Sequence, residues 1–286
     1  MAKPNLIVIG AQKSGTTWLH NRLSRHPDVF MSETKELNYF QGGEEEVEDA
    51  RLQQYFRNFE KAGTHKIMGE SSPNYFWAYD PQLPQRKNIP KNIRATLGED
   101  LKLIAILRNP VARAISAYFH QCRMGRINVG ETLIDSLKRK LGIGTMGEYD
   151  KQLEVWSEFY GRENFLFLCF DDVSLRPEAL LEDVCNWAEL ASGKMPAPEA
   201  RTRSDNPGGD LSLTETGITM TNIKNALLSN KVGVAFMEDH PPMVRFEEIA
   251  ELETYFTETY AFVRDVLGIT AWENGFDAEA YTVSKI

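Results

Sequence analysis

The sequence predicts an α/β fold, a single domain with a mainly parallel central sheet flanked by helices. Three apolar runs carry that expectation: LIVI at 6–9, LKLIAIL at 101–107 and NFLFLCF at 164–170. None alternates polar with apolar, so each reads as a strand buried on both faces. Each is followed by a segment with apolar residues at helical spacing. No internal repeat and no interdomain linker divides the 286 residues.

The elements follow in order. Residues 5–9 are expected as the first strand. Residues 16–25 form a helix with Trp18, Leu19 and Leu23 on one side, ended by His26-Pro27. A short strand is expected at 29–31. Residues 44–60 open with an acidic stretch at 44–46, which suits a helix start, and carry Leu52, Tyr55, Phe56 and Phe59 at helical spacing. Residues 66–69 form a short strand leading into ESSPNYF. The Pro-rich stretch 79–90 reads as a loop and 92–97 as a short helix. After the strand at 101–107 comes a helix over 111–123. Pro110 suits its first turn, where the missing N–H costs nothing. Another helix covers 146–160, with Tyr149, Leu153, Trp156 and Tyr160 as a core stripe. The strand at 164–170 and a helix at 177–190 come next. Residues 192–217, rich in Gly, Pro, Ser and Thr, read as a long loop or lid. Helices at about 222–229 and 244–266 complete the chain.

A hydrophobic content of 42% and a charged content of 26% describe an ordinary globular protein. The net charge of −9 argues against a nucleic-acid binder and against adsorption to an anionic membrane. An anionic ligand therefore needs a local pocket of basic side chains and backbone N–H groups. Cys122, Cys169 and Cys185 have neither zinc nor redox spacing, which points to a reducing compartment, and Cys169 and Cys185 read as core thiols. The apolar run in MAKPNLIVIG is too short for a secretory leader, and no run reaches the ~18 residues of a membrane span. A cytoplasmic protein, or a domain of a larger one, is the expectation.

The segment GAQKSGTTW at 10–18 joins the first strand to the first helix. That turn points backbone N–H groups at one spot, backed by the positive end of the helix dipole. Gly10 and Gly15 allow close backbone approach, Thr16 and Thr17 add hydroxyls, and Lys13 adds a charge. It differs from the triphosphate loop, G-x-x-x-x-G-K-[ST], because Thr16 stands where that lysine would be. A second signal is RNPVARAISAYFH. It puts Arg108 at the carboxyl end of a parallel strand and Ser116 on the following helix. Ligands of open α/β sheets sit at those strand ends, and arginine can fork two N–H donors onto a phosphate there.

With both motifs in this order, the chain resembles the sulfotransferases that use 3′-phosphoadenosine 5′-phosphosulfate (PAPS) and release PAP. VIGAQKSGTTWL is similar to their 5′-phosphosulfate loop and RNPVARAISAY to their 3′-phosphate motif. GEYDKQLEVWSEFYGRENFLFLCFDDV at 147–173 is similar to a segment of the bacterial, heparan and tyrosylprotein branches. The resemblance covers roughly 5–190, and 191–286 matches only loosely. It implies that Lys13, Ser14, Gly15, Thr16 and Thr17 hold the 5′-phosphosulfate, and that Arg108 and Ser116 hold the 3′-phosphate. Lys13 would also stabilise charge on the leaving oxygen. GESSPNYF at 69–76 resembles the segment that supplies a glutamate base in the heparan-type branch, which points to Glu70. The histidine of the aryl and steroid enzymes has no counterpart: His65 and His120 fall elsewhere.

The implied chemistry is in-line sulfuryl transfer to a hydroxyl or amine, without a metal. The acceptor is a small molecule, a glycan or a carrier-bound group. Specificity is expected from loops at 32–60, 74–95, 124–145 and 192–240. Secondary readings are a ligand contact for Tyr149, and for Arg201 and Arg203 either closure over the 3′-phosphate or a solvated surface. Arg113 reads as either a ligand group or a packed one, His20 as packed or solvated, and Tyr75, Phe76 and Trp77 as either acceptor-lining or core. A kinase or NTPase would need a lysine after Gly15 and an acidic magnesium ligand, for which only Asp171-Asp172 offers a weak match. A non-catalytic nucleotide-binding module would retain the loop and lack the base.

Overall fold

A computed structural model describes residues 3–42, 49–128, 130–197, 210–221 and 241–283. They fall into two compact units, Met1–Arg108 with Tyr149–Glu199, and Asn109–Glu148 with Ala200–Ile286.

The first unit carries a five-stranded sheet in the order β2-β3-β1-β4-β5. Its strands are β1 (Leu6–Gly10), β2 (Val29–Met31), β3 (Ile67–Ser71), β4 (Lys102–Leu107) and β5 (Phe165–Cys169). Every pairing is parallel, as the unalternated apolar runs require. The chain leaves β1 for β2, returns through β3 and crosses to β4, so strand order reverses around β1. That reversal is the switch point at whose carboxyl side open sheets bind ligands. Its helices are α1 (Thr16–Leu23), α2 (Asp49–Arg57) and α3 (Asn88–Leu97). In the second unit α4 (Pro110–Arg123) and α5 (Leu133–Ser136) follow. The chain then re-enters the first unit through α6 (Tyr149–Ser157), α7 (Asp172–Leu175) and α8 (Pro177–Trp187). One face of the sheet packs Leu6, Val8, Ile104 and Ile106 against Leu19 and Leu23 of α1 and Leu180, Leu181 and Val184 of α8. Tyr149, Trp156 and Tyr160 are buried, as their stripe predicts.

The second unit holds an antiparallel sheet that the composition hides. Its strands are β6 (Asp210–Leu213), β7 (Gly217–Thr221) and β8 (Met243–Arg245). The expected loop at 192–217 thus ends in a strand. Ile218, Met220 and Val244 point inward while Thr219 bonds outward to Pro242 O, a period of two that the Ser/Thr content disguises. The helix expected at 222–229 lies outside the described residues. The long final helix is two, α9 (Phe246–Tyr255) and α10 (Thr257–Asp265). The break coincides with Thr254 and Thr257, whose hydroxyls bond back to Ala250 O, Glu253 O and Thr254 O and compete with the helix ladder. The last described helix is α11 (Ala278–Val283). The core of this unit joins Val111, Ile115 and Phe119 of α4 to Ile218, Leu252 and Phe256. Arg113 belongs to that interior: it is fully buried and donates to the carbonyls of Gly142 and Ile143. All three cysteines are free and buried. Among the described residues no helix is long and apolar enough to cross a membrane.

Candidate functional site

The 10–17 loop leaves β1 under tight constraint. A Cβ on Gly10 would stand 2.4 Å from Phe76 Cβ, so only glycine fits against that ring. The loop's backbone is then reversed by two left-handed residues, Lys13 at φ 71° and Gly15 at φ 84°. Such a conformation costs a lysine of order 1 kcal/mol and marks a backbone held for a purpose. Gly15 is the N-cap of α1, where no side chain caps the helix and no acidic residue occupies the first turn. The first-turn N–H groups are thus left for a ligand rather than for the protein's own oxygens. Ser14 is completely buried, and its Oγ has no hydrogen-bond partner among the described residues. A buried hydroxyl without a partner costs of order 1–3 kcal/mol, so it implies an absent acceptor. Thr16 is buried and Thr17 is exposed.

Arg108 reaches the same loop, as the two motifs require. Its Nη1 donates to Lys13 O at 3.1 Å, and its guanidinium lies 4.5 Å from the Phe170 ring centre. Tyr149 sets the arginine's backbone: its hydroxyl donates to Arg108 O at 2.8 Å and accepts from Arg108 N–H at 3.4 Å. Tyr149 is fully buried, and its hydroxyl bonds place it behind Arg108. Ser116 is buried in the second turn of α4, a helix capped by Asn109 through the Ala112 N–H. Its assignment rests on the resemblance alone. Arg201 and Arg203 lie outside the described residues, as does the acidic stretch at 44–46.

Glu70 is next to last in β3, paired in register with Ile7 of β1. It is neither a cap nor a surface carboxylate, being fully buried. Three hydroxyls donate to it: Tyr55 OH at 2.8 Å and Tyr75 OH at 3.3 Å to Oε1, and Ser72 Oγ at 2.7 Å to Oε2. Burial pushes its pKa up from 4.5 to about 7, and the three hydroxyl bonds pull the other way. Tyr75, Phe76 and Trp77 are buried: Tyr75 serves Glu70, Phe76 packs on Gly10, and the Trp77 ring lies 3.9 Å under the Arg86 guanidinium.

Over the carboxyl end of β3 runs the start of the 32–60 loop, from which the sequence led us to expect specificity. Ser32 N–H donates to Gly69 O, Glu36 N–H to Ser71 O and Asn38 N–H to Ser72 Oγ. Lys35 and Glu36 sit at its turn, with Glu36 at φ 60°. Their side chains pair at 2.8 Å, and Glu36's is 46% exposed. Ser71 Oγ also bonds His20 Nδ1 of α1 at 3.0 Å. His20 is packed: burial, then the charge of Lys35, lowers its pKa to about 4. Within that loop the sequence shows a Lys-Glu pair between a short strand and the aromatic pair Tyr39-Phe40.

Together these residues make a candidate anion site. It has a helix N-terminus free of competing caps, a buried serine awaiting a partner, a lysine in the loop and an arginine bonded to that loop. Its donor chemistry suits the 5′-phosphosulfate that the resemblance assigns to Lys13, Ser14, Gly15, Thr16 and Thr17. A model of the family described as "Sulfotransferase domain" matches residues 3–204. The chain belongs to the sulfotransferase domain family. This is a PAPS-dependent transferase family, and the five-stranded parallel sheet is its P-loop-like core.

Relatives agree. The bifunctional heparan sulfate N-deacetylase/N-sulfotransferase 1 of Caenorhabditis elegans is 27% identical over 202 residues, 65% of this chain and 22% of that protein. The membrane-associated sulfotransferase kil1 of Dictyostelium discoideum is 34% identical over 118 residues, 40% of this chain and 22% of that one. The matched stretch thus spans about a fifth of the length of these relatives. Human heparan sulfate glucosamine 3-O-sulfotransferase 6 is 27% identical over 174 residues, 58% of this chain and 46% of that protein. A sulfotransferase structure from Alicyclobacillus acidocaldarius has a TM-score of 0.67 at 20% identity, covering 96% of this chain and 100% of the other, which shows the fold.

Arg108→Ala is expected to weaken PAP binding by about 10- to 100-fold, the worth of a charge-assisted phosphate contact, while binding of AMP stays level. Calorimetry with both nucleotides checks it. An equal loss for AMP would move Arg108 away from the 3′-phosphate.

Proposed function

We propose that this sulfotransferase moves the sulfuryl group of PAPS to a hydroxyl or amine of a saccharide acceptor. The observation that carries the donor reading is the buried, partnerless Ser14 hydroxyl inside a loop whose lysine precedes the second glycine. Bound PAPS supplies a sulfuryl group already activated by its bond to phosphate. The chain holds the phosphosulfate with the 10–17 loop. Lys13 offers positive charge to the bridging oxygen as the S–O bond to phosphate breaks. Arg108 takes the 3′-phosphate. The acceptor forms the new S–O or S–N bond and gives up its proton to a carboxylate.

Two carboxylates stand at the carboxyl end of β3. Glu70 is the one the resemblance implies, and its pKa near 7 suits a base. Its enclosure favours a second reading: both of its oxygens are occupied by hydroxyls and no surface is open to an acceptor. Glu36 has an exposed carboxylate and is bonded by its backbone to Ser71, the residue after Glu70. Glu70 keeps the role that the resemblance implies, and Glu36 is the second candidate for proton removal.

A nucleoside-triphosphate enzyme fits less well. Thr16 holds the place of the lysine, Asp172 is paired with Arg176 at 2.7 Å, and Asp171 accepts from Cys169 Sγ. Among the described residues no group of three or more His, Cys, Asp or Glu is placed to hold a metal ion. The saccharide acceptor is supported by the relatives named for heparan sulfate. The net charge of −9 favours a neutral or sparsely charged sugar over a densely sulfated one. Labelled PAPS is to be turned over with N-deacetylated heparosan oligosaccharides, neutral oligosaccharides and simple phenols, beside calorimetry with PAP and with ATP–magnesium. Transfer to a saccharide and binding of PAP are expected. Transfer to phenols alone would sink the acceptor reading, and binding of ATP–magnesium without PAP the donor reading.

A further inference from the structure

We propose that Tyr149 is a positioning residue that sets how strongly the site prefers a 3′-phosphorylated nucleotide, by holding the main chain of Arg108. The inference rests on the reading of Arg108 as the group that takes the 3′-phosphate. The sheet gives out just before this arginine. The register of β4 with β5 ends at Leu107 and Cys169. Ala11 N–H donates to Ile106 O at 2.9 Å and Phe170 N–H to Leu107 O at 2.7 Å. Helix α4 begins only at Pro110. Arg108 thus stands between the strand ladder and the helix ladder, and it is buried. Main-chain polar groups in such a place need partners. The Tyr149 hydroxyl serves both, donating to Arg108 O at 2.8 Å and accepting Arg108 N–H at 3.4 Å. A phenol can do this because its one oxygen carries both a proton and lone pairs.

Tyr149 is itself held on a fixed frame. It opens α6, and Gln152 and Trp156 follow on the same buried face. Gln152 Oε1 accepts the N–H groups of Ala78 at 2.8 Å and Tyr79 at 2.7 Å. Trp156 Nε1 donates to Phe76 O at 3.3 Å. The Phe76 ring in turn meets the Tyr149 ring, with 6.2 Å between centres. The stripe that the sequence offers as core therefore staples α6 to the main chain through its polar tips. On the far side of the arginine, Nη1 donates to Lys13 O and the guanidinium rests over Phe170. The main chain of Arg108 is fixed from α6 and its side chain from the 10–17 loop. An arginine grips a phosphate through a rigid fork of donors, so the grip depends on the direction from which the fork arrives. Tyr149 acts on the phosphate through that direction.

The test is Tyr149→Phe in the full chain, with calorimetry of PAP and of AMP. Phenylalanine keeps the buried ring and removes only the hydroxyl, and AMP binding reports a folded nucleotide site. Affinity for PAP is expected to fall by about 10-fold, with that for AMP within about twofold of the original. In an Arg108→Ala background the same substitution should cost PAP nothing more, because the group it positions is gone. Tyr160→Phe is the matched control. Tyr160 is also buried and donates its hydroxyl to a carbonyl, Gly98 O at 3.1 Å, ahead of β4. Its loss should lower the melting temperature much as Tyr149→Phe does and leave PAP binding level. Unchanged PAP affinity in Tyr149→Phe, beside the expected loss in Arg108→Ala, would overturn the positioning role and leave the Arg108 reading standing. So would equal losses for PAP and AMP, an equal loss of PAP affinity in Tyr160→Phe, or losses that multiply with Arg108→Ala. An Arg108→Ala variant that binds PAP as the original does would remove the 3′-phosphate reading, and this inference would fall with it.

Discussion

If Glu36 takes the acceptor's proton, its replacement by glutamine is expected to lower turnover by about 10²–10⁴-fold, the usual contribution of a general base, with PAP bound as before. The amide keeps the shape of the side chain and cannot take a proton. The backbone of residue 36 stays anchored, because its own N–H supplies the bond to Ser71 O at 2.8 Å. The ion pair with Lys35 is lost, but it involves a side chain that is 46% exposed, and such pairs contribute little to folding. A fall in rate therefore reports chemistry rather than unfolding. The same assay on Glu70→Gln divides the two carboxylates. If Glu36 takes the proton, Glu36→Gln is dead while Glu70→Gln retains partial turnover, since it still offers acceptors to some of its three hydroxyls. If Glu70 takes it directly, Glu36→Gln stays active and Glu70→Gln does not. Single-turnover measurement with preloaded PAPS separates this step from donor binding.

How far the sequence could lead is visible at particular residues. The parallel sheet was legible because burial on both faces leaves a chemical trace, the unbroken apolar runs. The 10–17 loop was legible because glycine spacing at a strand-to-helix turn follows from backbone geometry. Arg108 was expected at a strand end, and its bond to Lys13 O follows from that placement. The environment of Glu70 was not legible. Its position at the end of β3 is local, but its enclosure depends on Tyr55, 15 residues upstream on α2. The turn at Glu36 was not legible for a related reason. Its left-handed turn and its bond to Ser71 arise from the 32–40 loop folding onto β3, and no periodicity announces such a contact. The sheet of the second unit shows a third limit. Its alternation is present in DLSL and GITMT, but Thr and Ser on the solvent side read equally well as loop.

The stability of the chain is expected to carry the mark of Glu70 between pH 5 and 8. The folded pKa of about 7 lies above the unfolded 4.5, because burial penalises the charge. Below 4.5 both states hold the proton and Glu70 contributes nothing. Between about 4.5 and 7 the unfolded chain releases the proton while the native chain keeps it, so stability falls as pH rises. Above 7 the cost is complete, of order 3 kcal/mol at about 1.4 kcal/mol per pH unit. In the wild-type protein alone this trend is masked. His20, with a folded pKa of about 4 against 6.5, acts in the opposite direction, and its burial makes stability rise with pH between those values. The exposed acids Asp28 and Asp265, drawn below their usual range by Lys194 and Arg264, lose their contributions only at more acidic pH. Glu253 is raised by burial, as Glu70 is. All of these are shared with a Glu70→Gln variant, so the difference between the two proteins isolates Glu70. Urea unfolding at pH 5 and at pH 8 should show the stability difference shifting by about 2–3 kcal/mol in favour of the glutamine at the higher pH. The shift is large because the carboxylate has no solvent to share its charge, only three hydroxyls whose bonds recover part of the cost. Curves that run parallel at the two pH values would mean that the native chain ionises Glu70 as easily as the unfolded one. The three hydroxyl bonds would then be strong enough to hold a full negative charge in the interior at no net cost.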